Sequence, residues 1–356
     1  MKALTLSGPF EVRYESVPDP VVMHPGDAIV RVDCGAICGS DLHVYRGHEK
    51  GLDSGTTMGH EFAGTVIEVG SEVSRVRVGM RVTSPFSTNC GSCDACRCGL
   101  TARCENGGLF GWVEGGQGLQ GVQAEYARVP LADTTLVEIP DGIGYEDALF
   151  TGDILATGTY GVLRADVRAG HSVAVIGCGP VGLMAVLAAF QSGAQAVYAI
   201  DGIPERLALA TGFGAHAVDF SGEDVVARIV AETEGLGVHA VVEAVGHPSA
   251  TRLAFDLLRP GGTLSAVGVH TEEHFAFSPG DAYDKNITYR AGRCPARALM
   301  DDLLASLPAR KLRPTDIVSH RMPLSEGVRG YKIFDGKQEG CTKVLLVPDD
   351  GPVGGS

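Results

Sequence analysis

Residues 173–190, VAVIGCGPVGLMAVLAAF, decide how this chain folds. The first four are an unbroken apolar run, suited to a strand buried on both faces. Gly177, Gly179 and Gly182 then spell G-x-G-x-x-G, and the rest is a helix-forming stretch without a breaker. Each glycine has a physical task. Gly177 permits a tight turn, Gly179 lets the backbone approach a pyrophosphate, and Gly182 allows close helix–strand packing. The helix that follows offers amide donors and a partial positive charge to an anion. A lone pattern of this kind is weak in a chain with 49 glycines. Here it lies between a strand and a helix, and Asp201 ends the next apolar run, AVYAID. A carboxylate at that point accepts from ribose hydroxyls and repels a 2′-phosphate, so NAD is expected over NADP. Arg206 is the counterweight, but Gly202, Ile203 and Pro204 supply no basic clamp.

The same βα rhythm continues on both sides. Strands SVAVIG, AVYAID, VHAVVEAVG and GTLSAVGV alternate with helices PVGLMAVLAAFQSG, PERLALATGFG, EDVVARIVAETEG and PSATRLAFDLLRPG. Such alternation predicts a doubly wound parallel sheet covered on both faces. Before it, DAIVRVDCGAI, FAGTVIEVG, VGMRVTS and AEYARVP are short β-branched runs broken by Gly, Pro and Asp, the texture of an irregular β-rich lobe. After it come one amphipathic helix, ARALMDDLLASL, a last strand, TKVLLVP, and a polar tail, DDGPVGGS. The last sixty residues suit either lobe.

The 356 residues suffice for two domains with buried cores. A net charge of −14 and the lack of a Lys/Arg run argue against nucleic acid or an anionic membrane surface as a partner. No stretch approaches the roughly 20 apolar residues that span a bilayer. The opening MKALTLSGPFEVRYESV carries early charges and no cleavable apolar core, so a cytoplasmic location is expected. Clustered thiols there serve as metal ligands or catalytic groups rather than disulfides.

Two clusters of metal-binding side chains stand out. In CGSCDACRCGLTARC, Cys90, Cys93, Cys96 and Cys104 fit C-x2-C-x2-C-x7-C, which wraps four sulfurs around one ion and leaves no open position. The soft ligands suit structural zinc and also an iron–sulfur cluster. Cys98 is a fifth thiol in the same stretch. Upstream, Cys38 in CGSDLH and His60-Glu61 in GHE offer a mixed shell that can stay open to water or substrate. Ser40 and His43 could carry protons away from it.

Together these motifs, CGSDLH, GHEFAGTVIEVG, the four-cysteine loop and GCGPVGLMAVLAA with AVYAID, resemble the zinc-dependent medium-chain alcohol dehydrogenase family over essentially the whole chain. The resemblance implies an α/β architecture: a GroES-like β-rich catalytic domain plus a Rossmann domain. Residues 1–153 would form the former with a structural zinc lobe near 86–110, residues 154–293 the latter, and residues 294–356 would return to the catalytic domain. It implies two zinc ions per chain: a structural one on Cys90, Cys93, Cys96 and Cys104, with Cys98 a bystander, and a catalytic one on Cys38, His60 and a third ligand. Many members have Cys in that third place; FTGDILATGTYG puts Asp153 there, leaving one thiolate instead of two. Glu61 is a further ligand or lies just outside the shell. NAD would be held by Gly177, Gly179, Pro180, Val181, Gly182, Asp201, Arg206 and Val269. Gly39 stands where some relatives place a base on the pyrophosphate, and Lys343 in CTKVLLV is the expected substitute.

The activity so implied is hydride transfer between an alcohol and NAD, giving aldehyde or ketone, with Cys38, Ser40, His43, His60, Glu61 and Asp153 as the catalytic set. The substrate class runs from primary and secondary alcohols to polyols, with a pocket drawing on Ser40, residues near Phe86 and Trp112, and the Tyr160 region. A homodimer or homotetramer is expected through the edge strand near ITYRAG. Two rival readings are a catalytically silent NAD-binding member of the fold and a zinc-free quinone-reductase-like enzyme; both would be expected to lack the zinc ligands that are present.

Overall fold

A computed structural model describes residues 1–271, 273–309 and 313–349. Of the DDGPVGGS tail, only Asp349 lies within the described residues. The chain divides into two compact units, one of Met1–Ala156 with Pro295–Ser356 and one of Thr157–Cys294. Among the described residues, no helix is long and apolar enough to cross a membrane.

The second unit is built on a six-stranded parallel sheet. In spatial order its strands are His216–Asp219, Ala196–Asp201, Ser172–Ile176, Val238–Glu243, Leu258–Ala266 and Thr288–Ala291. The order reverses at Ser172–Ile176, where the first βα turn carries the glycine pattern, the usual place for a ligand in such sheets. Val173, Val175, Ile200, Val241 and Leu264 are fully buried because helices cover both faces. The helix Pro180–Gln191 is buried along almost its whole length, which is why its sequence is apolar all round. Several details depart from the sequence reading, two of them instructive. The helix Pro248–Leu257 ends before LRPG, since Pro260 disfavours a helical residue ahead of it. The four-residue edge strand His216–Asp219, too short to show a period, was not anticipated.

The first unit holds a mixed sheet in the order His320–Pro323, Val344–Val347, Ala28–Ile37, Glu61–Val69, Arg81–Thr83 and Val137–Glu138. Tyr126–Val129 also pairs with Ala28–Ile37. Val344–Leu346 lies antiparallel to Gly35–Ile37, so the C-terminal stretch completes the sheet begun near the N-terminus. Leu4, Ile37, Val344 and Tyr331 pack in one core of this unit, and Val30, Phe62, Val82 and Phe110 in another. Each such side chain contributes roughly 1.5–3 kcal/mol by leaving water. Beside the expected helix Ala296–Ser306, the C-terminal stretch forms a second one, Gly327–Asp335. Two glycines mask it in the sequence, because each lowers helix propensity by roughly 1 kcal/mol. They are where the helix meets its neighbours: a Cβ on Gly327 would lie 2.3 Å from Leu4 Cδ1, and one on Gly330 3.0 Å from Ile37 Cδ1.

Candidate metal and dinucleotide sites

Cys38 follows the strand Ala28–Ile37, His60 immediately precedes Glu61–Val69, and Asp153 follows a 3-10 turn, Phe150–Gly152. Adjacent strands thus deliver two of the three, and the turn brings the third. The ligand atoms of Cys38, His60 and Asp153 lie within 4.8 Å of one another. Asp153 Oδ2 is 3.1 Å from Cys38 Sγ and 3.3 Å from His60 Nε2. Ser40 Oγ is 3.1 Å from the same His60 nitrogen.

His60 is oriented by a residue the sequence reading left unused. Asp41 Oδ1 lies 3.1 Å from His60 Nδ1, and its Oδ2 accepts from the Cys38 backbone N–H at 2.9 Å. A carboxylate has only acceptors, so Nδ1 carries a proton and Nε2 is the ring nitrogen directed at Cys38 and Asp153. This is the outer-shell arrangement of a metal-ligating histidine. Asp41 stands inside the CGSDLH motif, and the signal that could have found it was its spacing from Cys38.

The electrostatics favour a cation. Burial, reinforced by the Asp153 and Glu61 carboxylates, pushes the Cys38 thiol up to about 11. Burial acts against a charged His60, yet Asp41 and Asp153 hold its pKa well above the ordinary value. Burial acts against the Asp153 carboxylate, but hydrogen bonds from His60 and Cys38 keep its pKa below the usual range. Burial favours the neutral Cys38 thiol, so holding it as a thiolate beside the Asp153 carboxylate calls for a cation, and a divalent ion meets that need. Glu61 is 1% exposed; its Oε2 is bonded to Lys343, and its Oε1 has no hydrogen-bond partner. That orphaned oxygen and the S, N, O donor set fit zinc, although Glu61 is not among the three side chains that converge.

The Lys343 side chain is fully buried, and its ammonium is bonded to Glu61 within the first unit. An ammonium removed from water needs a carboxylate, and Glu61 is the one at hand. Phe86 stands edge-on to the His60 ring, the two centroids 6.4 Å apart. Trp112 opens the small hairpin strand Trp112–Glu114.

The four-cysteine loop is a second convergence. Cys90, Cys93, Cys96 and Cys104 bring their sulfurs within 4.8 Å of one another, and Cys98 is exposed and outside the group. The Cys90 N–H points at Cys104 Sγ at 3.1 Å, and the Cys93 N–H at Cys90 Sγ at 3.4 Å. Donors from the Ser92 backbone and the Asn106 amide lower the Cys90 thiol to about 5, the state in which sulfur binds metal.

In the second unit the glycine loop has the expected close approaches. Gly177 adopts φ +85°, and a Cβ on Gly182 would lie 1.7 Å from the Gly177 carbonyl oxygen. Gly179 caps the helix Pro180–Gln191, and a Cβ there would meet only Arg206 Nη1 at 3.8 Å. Its open side is where an anion would approach. Pro180 is buried and Val181 half-buried in the first turn, and Val269 is exposed. Asp201 Oδ1 accepts from the Gly202 and Ile203 N–H groups at 2.8 and 2.9 Å, and Oδ2 from Cys178 N–H at 2.7 Å. Arg206 Nη1 is 3.7 Å from Oδ2. A contact not anticipated from the sequence joins buried Glu243, at the end of its strand, to His270 in the loop after Leu258–Ala266, at 2.8 Å.

Residues 24–141 match the family described as alcohol dehydrogenase GroES-like domain, and residues 180–306 that described as zinc-binding dehydrogenase. The chain is 40% identical over 343 residues to zinc-type alcohol dehydrogenase B of Aspergillus flavus, covering 94% of this chain and 79% of that protein. Among solved structures, alcohol dehydrogenase TADH from Thermus sp. ATN1 superposes with a TM-score of 0.92 at 42% identity, over 98% of this chain and all of that one. A zinc-binding dehydrogenase from Sinorhizobium meliloti, solved bound to NADP, is 29% identical with a TM-score of 0.83, over 98% and 99% of the two chains.

Proposed function

Since the chain belongs to the zinc-dependent medium-chain alcohol dehydrogenase family, we propose that it catalyses reversible hydride transfer between an alcohol and NAD, yielding an aldehyde or ketone. The observation that carries this reading is the convergence of Cys38, His60 and Asp153 beside Ser40. When bound, zinc at these three residues supplies Lewis acidity to an alcohol oxygen, and the nicotinamide supplies the hydride acceptor. The chain's own residues do the rest. Asp41 holds the proton on His60 Nδ1 and so keeps Nε2 a donor of its lone pair. Ser40 Oγ would act as a relay, taking up the substrate hydroxyl's proton as it passes its own on toward His43 and solvent. His43, on the same segment, is kept neutral by burial, so it can take up a proton and pass it to solvent.

Asp201, with three backbone amides already fixed on its oxygens, presents a carboxylate to ribose hydroxyls and opposes a 2′-phosphate. That supports NAD rather than the NADP held by the Sinorhizobium meliloti protein. The four-cysteine loop supports a second, structural zinc. The strand Thr288–Ala291, at the edge of its sheet, supports self-association as a dimer or tetramer.

A panel of primary and secondary alcohols, polyols and threonine, followed by NADH absorbance at saturating zinc, tests the proposal. Turnover of at least one class is expected, with His60→Ala inactive. Inactivity of fully zinc-loaded protein toward the whole panel and the matching carbonyl compounds would overturn it. Equal efficiency with NADP would remove Asp201 as the discriminator.

A further inference from the structure

We propose that Gln123 and Tyr331 are positioning residues of the metal-binding constellation: a hydrogen-bond chain of fixed polarity from the C-terminal helix that holds Asp41 and, through it, orients His60. The inference rests on the zinc site proposed above and concerns residues that touch neither metal nor substrate.

Gln123 is 1% exposed, and its Nε2 donates to the Ala36 carbonyl at 3.0 Å and to Asp41 Oδ2 at 3.1 Å. Both partners are acceptors only, so the amide cannot flip without facing oxygen with oxygen. Gln123 Oε1 is thereby turned to the Tyr331 hydroxyl at 2.8 Å, and the hydroxyl has to donate. Every link has one polarity: Tyr331 O–H to Gln123, Gln123 N–H to Asp41, His60 Nδ1–H to Asp41. The last link leaves His60 Nε2 as the ring nitrogen directed at Cys38 and Asp153. An apolar residue at 123 would free Asp41 Oδ2 from one of its two donors and strand the Tyr331 hydroxyl in the interior.

Three further observations point the same way. Gly59, immediately before His60, adopts φ +86°, and a Cβ on it would lie 2.3 Å from Gln123 Cγ. The bare backbone at this step therefore makes room for the Gln123 side chain. Tyr331 is fully buried on the helix Gly327–Asp335, and its ring lies 5.3 Å from that of Tyr45. Asp335 of the same helix accepts from Arg46 Nε at 2.6 Å. One C-terminal helix thus grips the Cys38–Arg46 segment at several points. A network held in a low-dielectric interior with every partner satisfied is rigid, which is what a ligand shell needs.

Zinc release to a chelator from the fully loaded protein tests this, using the release phase that His60→Ala abolishes to identify the site. Gln123→Met is expected to weaken zinc there by about tenfold, and Tyr331→Phe by about fivefold, the worth of one buried hydrogen bond. The four-cysteine zinc should be unaffected, and the cobalt(II) absorption of the Cys38 site should change in Gln123→Met. Should Gln123→Met fail to fold, Tyr331→Phe, which keeps its ring, decides alone. Zinc affinity within twofold of wild type with an unchanged cobalt spectrum overturns the inference even if the melting temperature falls, because a merely structural brace would give that result. Wild-type protein that holds no zinc at Cys38, His60 and Asp153 overturns the functional reading, and the inference with it.

Discussion

Replacing Lys343 by Met tests how the first unit tolerates charge in its interior. Lys343 is 0% exposed and Glu61 1%, and Glu61 Oε1 already lacks a partner. Removing the ammonium would leave both carboxylate oxygens without one. Breaking a buried pair on one side costs about 3–5 kcal/mol, because the remaining charge is left uncompensated. Removing both charges together, in Glu61→Gln/Lys343→Met, removes that penalty and should bring stability back to within about 1–2 kcal/mol of wild type. The double variant is therefore expected to be about 1–4 kcal/mol more stable than Lys343→Met alone. Trp112 is the only tryptophan and belongs to the first unit, so its fluorescence in urea reports that unit. With an m-value of about 3 kcal/mol/M, the single variant should lower the urea midpoint by about 1–1.7 M. Each variant is measured at the same added zinc concentration. A shift below about 0.3 M, or a double variant no more stable than the single one, would refute the reasoning.

Other expectations follow from the same geometry. Cys98→Ser should keep two zinc ions per chain by metal analysis, whereas Cys96→Ser should lose one, since only the latter is among the converging sulfurs. Gly179→Ala should leave the melting temperature nearly unchanged, because its Cβ meets only Arg206 Nη1 at 3.8 Å, yet weaken NADH binding by about tenfold in a fluorescence titration. Gly182→Ala should instead destabilise the fold, with its Cβ 1.7 Å from a carbonyl oxygen. Burial works against the Asp133 carboxylate, but the Ser74, Arg75 and Val76 N–H groups and the Ser74 hydroxyl hold its pKa below the usual value. Asp133→Ala should cost about 1–2 kcal/mol at pH 7. A depressed carboxylate pKa stabilises above the unfolded value and ceases to as pH falls through the folded one. The gap to wild type, read by urea unfolding, should therefore close below about pH 4.

Local sequence determined those parts of the molecule whose physics is local. The strand Ser172–Ile176 and helix Pro180–Gln191 follow from an apolar run, three glycines and an uninterrupted helix former within twenty residues. The four-cysteine loop is equally local, because ligands at short spacing need only one loop to meet. Cys38, His60 and Asp153 could be nominated through the family resemblance, but their meeting is a product of strand pairing between residues far apart in the chain. Tertiary structure alone decided the fate of Lys343. A lysine in CTKVLLV has no sequence mark of burial, and its bond to Glu61, 282 positions away, arises because an interior ammonium needs the nearest interior carboxylate. The same holds for Asp41, Gln123 and Tyr331. The donors and acceptors of that chain come from three distant segments, and the helix bearing Tyr331 is hidden by the two glycines that let it pack. Periodicity and motif spacing record what a residue does with its near neighbours; the polarity of a buried hydrogen bond is set by whichever group the fold places opposite it.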